Sequence, residues 1–393
     1  MTILEPSPPP LSLLHLFFRF LRFGFLAFGG PVAQIAMVKQ ALVEEERWIS
    51  PARFNRLLAV MQILPGPEAH ELCVHLGMVA RGRIGGLLAG LGFMLPGFVL
   101  MLAAGWLYKD WIVGNPAMAP VFLGVQIAVL AIILRAVRRI GTHILEDRLL
   151  WALAAVSLGA TLAGVPFWIP LIAAALIYTF AARPVVATAV FAAAVALAFL
   201  VSGAAPAAAA STAASEAGII ALFVAGLKGG LLTFGGAYTA IPYVRTDTVG
   251  RGWLSDASFL DGVALAGMLP APLVIFATFV GYVAGGFPGA LAITVGMFLP
   301  AFAFSMIFFE RLEAVVENPA LHRALAGVAA AVVGVIAGTL LQLGWATAQR
   351  ISTPLAAIII FGGAVTAVML LKGKWVAPLL VIAAGAAGWL LNP

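Results

Sequence analysis

Residues 28–30 read Phe-Gly-Gly and recur as residues 234–236, and Leu64-Pro65-Gly66-Pro67 recurs as Leu269-Pro270-Ala271-Pro272. Other landmarks follow in the same order, and the separation of the partners drifts from 206 to 203 residues. Single-residue insertions and deletions between two related halves leave a slow drift of this kind. The chain therefore predicts an internal repeat with glycine and proline at corresponding places inside apolar segments, the arrangement that marks binding sites in repeat-built transporters.

The composition is too apolar for a soluble protein whose whole surface is exposed to water. Hydrophobic residues make up 63% of the chain and charged residues 10%, and the mean hydropathy is +1.09. Soluble domains average roughly 45–50% hydrophobic residues and about 25% charged residues. Apolar runs such as 185–202 and 374–391 have the length of a membrane helix and lack the alternation of barrel strands. These features predict an all-α polytopic membrane protein.

The apolar segments divide the chain into two unequal sets. Thirteen segments are readable, and six of the first seven match the six that follow, which leaves 185–202 without a partner. We predict a first repeat at 1–183, a connecting helix and Ala/Ser/Thr-rich linker at 184–218, and a second repeat at 219–393. Because the unpaired segment leaves the chain on the opposite side, the two repeats should be inverted relative to each other, with broken or re-entrant helices.

The charged loops predict an orientation. If every segment crosses the membrane, an inside N-terminus places eleven Lys and Arg residues in inner loops and six in outer loops. If the first two segments of each half re-enter, the balance becomes thirteen against four. Both versions favour a cytoplasmic N-terminus and a periplasmic C-terminus in the inner membrane. The net charge of +6 is assigned to these loops, so no nucleic-acid partner is expected.

The paired glycine and proline motifs predict broken helices. Glycine costs about 1 kcal/mol and proline about 3 kcal/mol in a helix interior, although proline suits the first turn of a new helix. A break at membrane depth frees backbone N–H groups, and an anion at the new helix N-terminus can satisfy them. Close helix packing remains the alternative for the paired glycines. The predicted backbone site consists of Gly29, Gly30, Pro65, Gly66, Pro67, Gly235, Gly236, Pro270, Ala271 and Pro272.

Basic residues recur at matching positions of the two halves. Arg22 and Lys228 each lie six residues before the Phe-Gly-Gly motif, and Lys39 aligns with Arg245. We predict that Arg22 and Lys228 bind an anionic substrate and that Lys39 and Arg245 are secondary cations. The alternative is that these side chains extend to the membrane interface, where their charges are solvated.

Polar residues near the first Pro-Gly-Pro motif have apolar counterparts in the second half. Glu68 is the candidate for proton coupling, although a carboxylate in the first turn of a helix also favours the helix dipole. His70 and His75 are five residues apart and do not form the His-Glu-x-x-His zinc motif, so no metal is expected. Gln34 and Gln62 are predicted either to donate to an oxyanion or to hydrogen-bond between helices.

Two sets of motifs resemble the chromate ion transporter (CHR) family, in its long two-domain form. The first half contributes Phe28 to Ile35, Gln62 to Ala69 and Phe93 to Phe98; the second half contributes Phe234 to Pro242 and Leu269 to Leu273. The resemblance covers both halves. The second half departs from the family pattern at Ala271, where Gly is common, and at Ala237-Tyr238-Thr239.

The resemblance implies a secondary transporter that exports chromate, or the related oxyanion sulfate, driven by an ion gradient or the membrane potential. Its partners would be the small oxyanion and the lipid bilayer. Whether the protein forms a homodimer is left open. No cofactor and no enzymatic activity are expected, since no Walker A, nucleotide-binding or nucleophile-elbow motif occurs. The alternatives are a passive anion channel on the same scaffold and an intramembrane metalloenzyme that uses His70, Glu71 and His75.

Overall fold

The computed structural model describes residues 8–61, 66–204, 217–234, 236–307, 319–371, 373 and 375–392, and all regular structure in these ranges is helical. Five helical stretches there are long and apolar enough to cross a bilayer, and five shorter apolar helices accompany them. The predicted all-α membrane fold is thus confirmed. The first half contains α1 (Leu13–Leu26), α2 (Gly30–Lys39), α3 (Pro51–Met61), α4 (Glu68–Leu107), α5 (Ala119–Ile144), α6 (Arg148–Leu162), α7 (Trp168–Thr179) and α8 (Pro184–Ala204). The second half contains α9 (Ile219–Leu231), α10 (Ala240–Thr248), α11 (Asp256–Met268), α12 (Phe276–Ile307), α13 (Pro319–Ala348), α14 (Pro354–Leu370) and α15 (Val376–Leu391).

The two halves share their local conformation. Helices α1 to α7 correspond in order to α9 to α15, and α8 is the helix without a partner. Arg81 and Gly82 in α4 have φ/ψ values of −146°/31° and 61°/−158°. Gly285 and Gly286 in α12 have −145°/21° and 64°/−158°. Kinks that agree this closely show that the sequence repeat is also a structural repeat.

Each kink folds its helix into two antiparallel arms. A Cβ placed on Gly77 would lie 2.5 Å from the carbonyl oxygen of Gly85, and one placed on Gly281 would lie 2.5 Å from that of Gly289. The backbones before and after each kink are therefore in direct contact. Only small residues allow helices to approach this closely. In α4 the arms are 68–80 and 83–107, and in α12 they are 276–284 and 287–307.

The first broken segment of each half turns back on itself. Arg19 of α1 forms an ion pair with Glu46, beyond α2, and the rings of Phe20 and Trp48 lie 6.3 Å apart. In the second half, Lys228 Nζ of α9 lies 3.0 Å from Asp247 Oδ2 of α10. The chain therefore enters the bundle and returns to the end from which it came.

The second broken segment of each half does the same. Arg53 of α3 interacts electrostatically with His75, in the first arm of α4. In the second half, the rings of Phe259 on α11 and Phe276 on α12 lie 5.6 Å apart. All four broken segments thus re-enter rather than cross, which the sequence left open and the charge balance favoured.

The ends of the bundle differ in charge. The helices after each re-entrant pair are joined by short connections and alternate in direction, as in other helical bundles. One end, called the basic end below, carries the α4 kink and the α5–α6 and α7–α8 connections, with Arg81, Arg83, Arg138, Arg148 and Arg183. The opposite end, called the far end, carries four basic residues, namely Lys109, Arg245, Arg251 and Arg350.

The halves pack through reciprocal contacts. A Cβ placed on Gly97 of α4 would lie 2.3 Å from the Cβ of Ala271, in the second Pro-x-Pro motif. A Cβ placed on Gly66, in the first motif, would lie 3.4 Å from the Cβ of Ala301 in α12. Because Gly97 corresponds to Ala301 and Gly66 to Ala271, each half contacts the break of the other. The breaks therefore lie at the centre of the molecule.

Gly334→Val should strongly reduce the stability of the folded protein. A Cβ placed on Gly334 of α13 would lie 2.0 Å from the carbonyl oxygen of Ala154 in α6, so the two helices would have to separate. Overpacking of this kind costs about 1–3 kcal/mol or more. Gly344→Val on the same helix is the control, because nothing lies within 4 Å of its added Cβ. Thermal unfolding in detergent measures both, and equal melting temperatures would contradict the packing account.

Candidate functional site

The helix breaks predicted by glycine and proline are present wherever the structure describes them. Helix α1 ends at Leu26 and α2 begins at Gly30 after Gly29, which has φ 89°. Gly66 and Gly236, at two other breaks, have φ 144° and 129°. A side chain is strained at such angles, which explains the choice of glycine. Three residues of the predicted site, Gln62, Pro65 and Gly235, lie outside the described residues.

Hydrogen bonds join the breaks of the two halves. The Gly66 amide donates to the carbonyl oxygen of Thr233 at 2.8 Å, which links the first Pro-Gly-Pro motif to the break after α9. Gln34 Nε2 donates to the carbonyl oxygens of Ala27 at 2.8 Å and Ala271 at 2.9 Å. Both hydrogens of the Gln34 amide are thus used between helices, one of the two roles that the sequence predicted for it.

A cavity of about 670 Å³ lies where the breaks meet. Each of the four re-entrant segments contributes a helix start to its wall: Gly29, Gly30 and Pro31; Glu68; Gly236, Ala237 and Tyr238; and Ala271 with Leu273. A Cβ placed on Gly30 or on Gly236 would meet nothing within 4 Å, so the backbone there faces open space. The positive ends of the helix dipoles therefore converge on one cavity.

Basic side chains line the cavity toward the basic end. Arg135, Arg139 and His143 follow one another at four-residue spacing on α5, and His322 comes from α13. This spacing places the α5 residues on one helix face. Arg139 interacts electrostatically with Glu68, and both arginines interact with Tyr238. Glu68 is the single acid among the lining residues, so the cavity carries excess positive charge.

The sequence interpretation did not select Arg135 or Arg139 as site residues. Arg139 counted only as a loop charge, because it lies near the end of its apolar segment. The signal that could have identified them is the spacing of Arg135, Arg139 and His143, which defines one basic face on an otherwise apolar helix.

The four cations predicted from the repeat lie outside the cavity. Arg22 lines a separate shallow pocket near the start of α1. Lys228 pairs with Asp247, and Lys39 Nζ lies 3.6 Å from the Glu44 carboxylate. Arg245 donates to both oxygens of Asp256, at 2.6 and 2.9 Å, and to Gln342 at 2.8 Å. Their role in substrate binding stays a prediction.

The acidic and histidine residues after the first Pro-Gly-Pro motif divide into two groups. Glu68 and Pro67 lie at the helix start, and Glu68 lines the cavity. His70 and Glu71 are fully buried, with the His70 ring 4.9 and 4.8 Å from the rings of Phe298 and Phe302. Among the residues that the structure describes, no three His, Cys, Asp or Glu side chains group as metal ligands.

Broken, re-entrant helices from two related halves that meet around a basic cavity define a membrane transport protein. The chain belongs to the chromate transporter family, whose profile matches residues 14–197 and 220–389 and so covers both repeats. The resemblance seen in the motifs is thus confirmed.

Several relatives match this chain, some of them over nearly its whole length. A chromate transport protein of Pseudomonas aeruginosa is 57% identical over 99% of this chain and 95% of its own length. A chromate transport protein of Cupriavidus metallidurans is 33% identical over 97% of this chain and 93% of its own length. A transporter of Bacillus subtilis, YwrA, is 33% identical over 32% of this chain and 70% of its own length. No solved structure matches the chain.

Proposed function

We propose that the protein is a secondary transporter that exports chromate, or the related dianion sulfate, across the inner membrane. One observation carries the proposal: four helix starts converge with Arg135 and Arg139 on a single cavity. Two relatives that match nearly the whole chain are chromate transport proteins, which supports the choice of substrate.

The lining groups suit a tetrahedral dianion. Removing a dianion from water is costly unless charged groups and N–H donors replace the water molecules. Arg135 and Arg139 supply planar, permanently charged donors, and guanidinium–oxyanion hydrogen bonds are among the strong ones. The helix starts at Gly29, Gly30 and Gly236 add backbone N–H groups and partial positive charge. Arg135 and Arg139 would bind the anion, and the backbone would complete its coordination.

The orientation follows from the charge difference between the ends. The basic end should face the cytoplasm, because Lys and Arg accumulate in cytoplasmic loops. The N-terminus is then cytoplasmic and the C-terminus periplasmic. Arg139, His143 and His322 lie toward the basic end of the cavity, so the anion would enter from the cytoplasm, as an exporter requires.

Coupling to protons is assigned to Glu68. This carboxyl group lines the cavity and interacts with Arg139, so its protonation state and the bound anion would influence each other. A membrane-embedded carboxyl group beside a substrate cavity is a common proton carrier. The alternative of a passive channel requires a path open at both ends.

Flux measurements in reconstituted vesicles would test the proposal. We expect saturable uptake of radiolabelled chromate and sulfate, accelerated by an imposed voltage and, at zero voltage, by a proton gradient. A passive channel would respond to voltage alone. Protein-free vesicles are the control, and the absence of protein-dependent flux of both anions would contradict the proposal.

A further inference from the structure

A buried polar network joins four parts of the chain at the far end. Asp261 of α11 is 2% exposed and accepts hydrogen bonds from Tyr108 Oη and Gln126 Nε2, each at 2.7 Å. Gln126 Oε1 in turn accepts a hydrogen bond from Arg350 at 2.7 Å. The Ser258 hydroxyl group lies 3.2 Å from Tyr108 Oη and can donate to it. These side chains do not line the cavity, and none of the roles proposed above uses them.

The network lies far from the basic residues that line the cavity. Gln126 and Arg139 both belong to α5, and thirteen residues separate them, or about 20 Å at the rise of an α-helix. Arg139 lies toward the basic end, whereas Gln126 lies toward the far end. Through this network, α11 is packed against α5 at the far end.

The repeat identifies the counterparts of this contact in the other half. Asp261 corresponds to Arg56 of α3 at the separation of 205 residues that relates the Pro-x-Pro motifs. Gln126 corresponds to Ala329 of α13 at the separation of 203 residues that relates Asn115 to Asn318.

Close helix contacts support the second correspondence. A Cβ placed on Gly124 would lie 2.2 Å from the carbonyl oxygen of Ala384 in α15. A Cβ placed on Gly327 would lie 2.4 Å from that of Ala174 in α7. Because α15 corresponds to α7, Gly124 and Gly327 are equivalent positions.

The equivalent contact between α3 and α13 is open. Leu58 of α3 and Ala329 of α13 both line the cavity, so the two helices face each other across it. The Arg56 side chain is exposed. One half therefore shows a closed contact and the other an open one between elements of the same kind. Inverted repeats produce two access states by exchanging such packings.

We propose that Asp261 is a further residue of the transport reaction, because it holds α11 against α5 and closes the far end of the pathway. The second access state forms when α3 closes on α13, which brings Arg56 to Ala329, while Asp261 separates from Gln126. Asp261 is a positioning residue, since it does not touch the anion cavity. The inference rests on the proposed transport function and adds the contacts that alternate.

Paired cysteines test the alternation. Cys73 is buried and would be replaced by Ala, which leaves this chain without other cysteines. A short reducible methanethiosulfonate crosslinker should join Gln126→Cys to Asp261→Cys and stop chromate transport, and reduction should restore it. The same reagent should join Arg56→Cys to Ala329→Cys in protein that is transporting. Single-cysteine variants are the controls.

A third variant separates positioning from a merely structural role. Asp261→Asn keeps the size of the side chain but removes its charge, so it should raise the yield of the Arg56–Ala329 crosslink several-fold in the cysteine-pair background. Asp247→Asn is the matched control, because Asp247 is buried and pairs with Lys228 without joining the Asp261 network. A purely structural Asp261 would lower the amount of folded protein without changing the crosslink yield per folded molecule.

Three results would overturn the inference: transport by the Gln126–Asp261 crosslinked protein, failure of Arg56 and Ala329 to link during transport, or an unchanged link yield in Asp261→Asn. Failure of the proposed function would look different. In that case no chromate or sulfate flux would occur, while the two crosslinks would still form as alternatives in the membrane.

Discussion

Chromate transport should fall at least tenfold when Arg139 is replaced by Gln, and the Arg135→Gln/Arg139→Gln variant should carry none. Both guanidinium groups line the cavity, and Gln keeps a hydrogen-bonding amide while removing the charge. A hydrogen bond to a charged group contributes about 1.5–3 kcal/mol, and about 1.4 kcal/mol corresponds to a factor of ten. Initial rates of radiolabelled chromate uptake into vesicles, at equal amounts of inserted protein, measure the loss.

Arg138→Gln is the matched control for these variants. Arg138 is the neighbour of Arg139, but it does not line the cavity, and its Nη1 lies 3.5 Å from Met369 Sδ. Replacing it changes the net charge of α5 by the same amount at almost the same place. If Arg138→Gln reduced transport as much as Arg139→Gln, the effect would come from the charge of the basic end rather than from contact with the anion.

The same assay tests the cations that the repeat pattern selected. The sequence predicts that Arg22→Gln and Lys228→Gln abolish chromate resistance in cells at normal protein levels. In the structure Arg22 lies in a separate pocket and Lys228 pairs with Asp247. Retained resistance in both, together with its loss in Arg139→Gln, would assign anion binding to α5.

Gly66→Ala should destabilise the protein by about 2 kcal/mol, within the range for overpacking and backbone strain. Gly66 has φ 144°, and an added Cβ would lie 2.3 Å from Glu71 Oε1. Glu71 is fully buried, so its carboxyl group has little freedom to move away. The Gly66 amide also donates to Thr233, which joins the two halves. The substitution should therefore strain both the helix break at the first Pro-Gly-Pro motif and the contact between the two repeats.

The Gly236→Ala variant measures the effect of backbone strain without a steric clash like that between the added Cβ of Gly66→Ala and Glu71. Gly236 has φ 129°, but its added Cβ would meet nothing within 4 Å. Thermal unfolding in detergent should therefore give a melting temperature for Gly66→Ala below that of Gly236→Ala. Adding Glu71→Ala to Gly66→Ala should recover part of the difference. If the two single variants melted together, the Glu71 contact would not matter for stability.

The broken helices could be predicted because their signals are local. Glycine is favoured where φ is positive, and proline is favoured at the start of a helix, so both residue types indicate a break directly. Gly66 and Pro67 show both features. The repeat made the prediction stronger, because the motif returned at Pro270 and Pro272. For Gln34 the sequence left two possible roles. Its hydrogen bond to Ala271 could not be predicted, because that contact depends on how one half packs against the other.

The basic residues that line the cavity could not be identified from the repeat. Arg22 and Lys228 recur at equivalent positions, whereas Arg135 and Arg139 have no basic counterparts in α13, so a search for recurring cations does not find them. Asp261 was overlooked for the same reason, since its counterpart is Arg56.

Hydropathy, glycine and proline act over a few residues, so they were enough to predict an all-α membrane fold, two related halves and the places where their helices break. The three-dimensional packing was needed to show that the broken segments re-enter, which face of α5 meets the breaks, and that α11 packs against α5 at the far end. Those features depend on contacts between residues far apart in the chain, such as Gln126 with Asp261, and no local pattern encodes them.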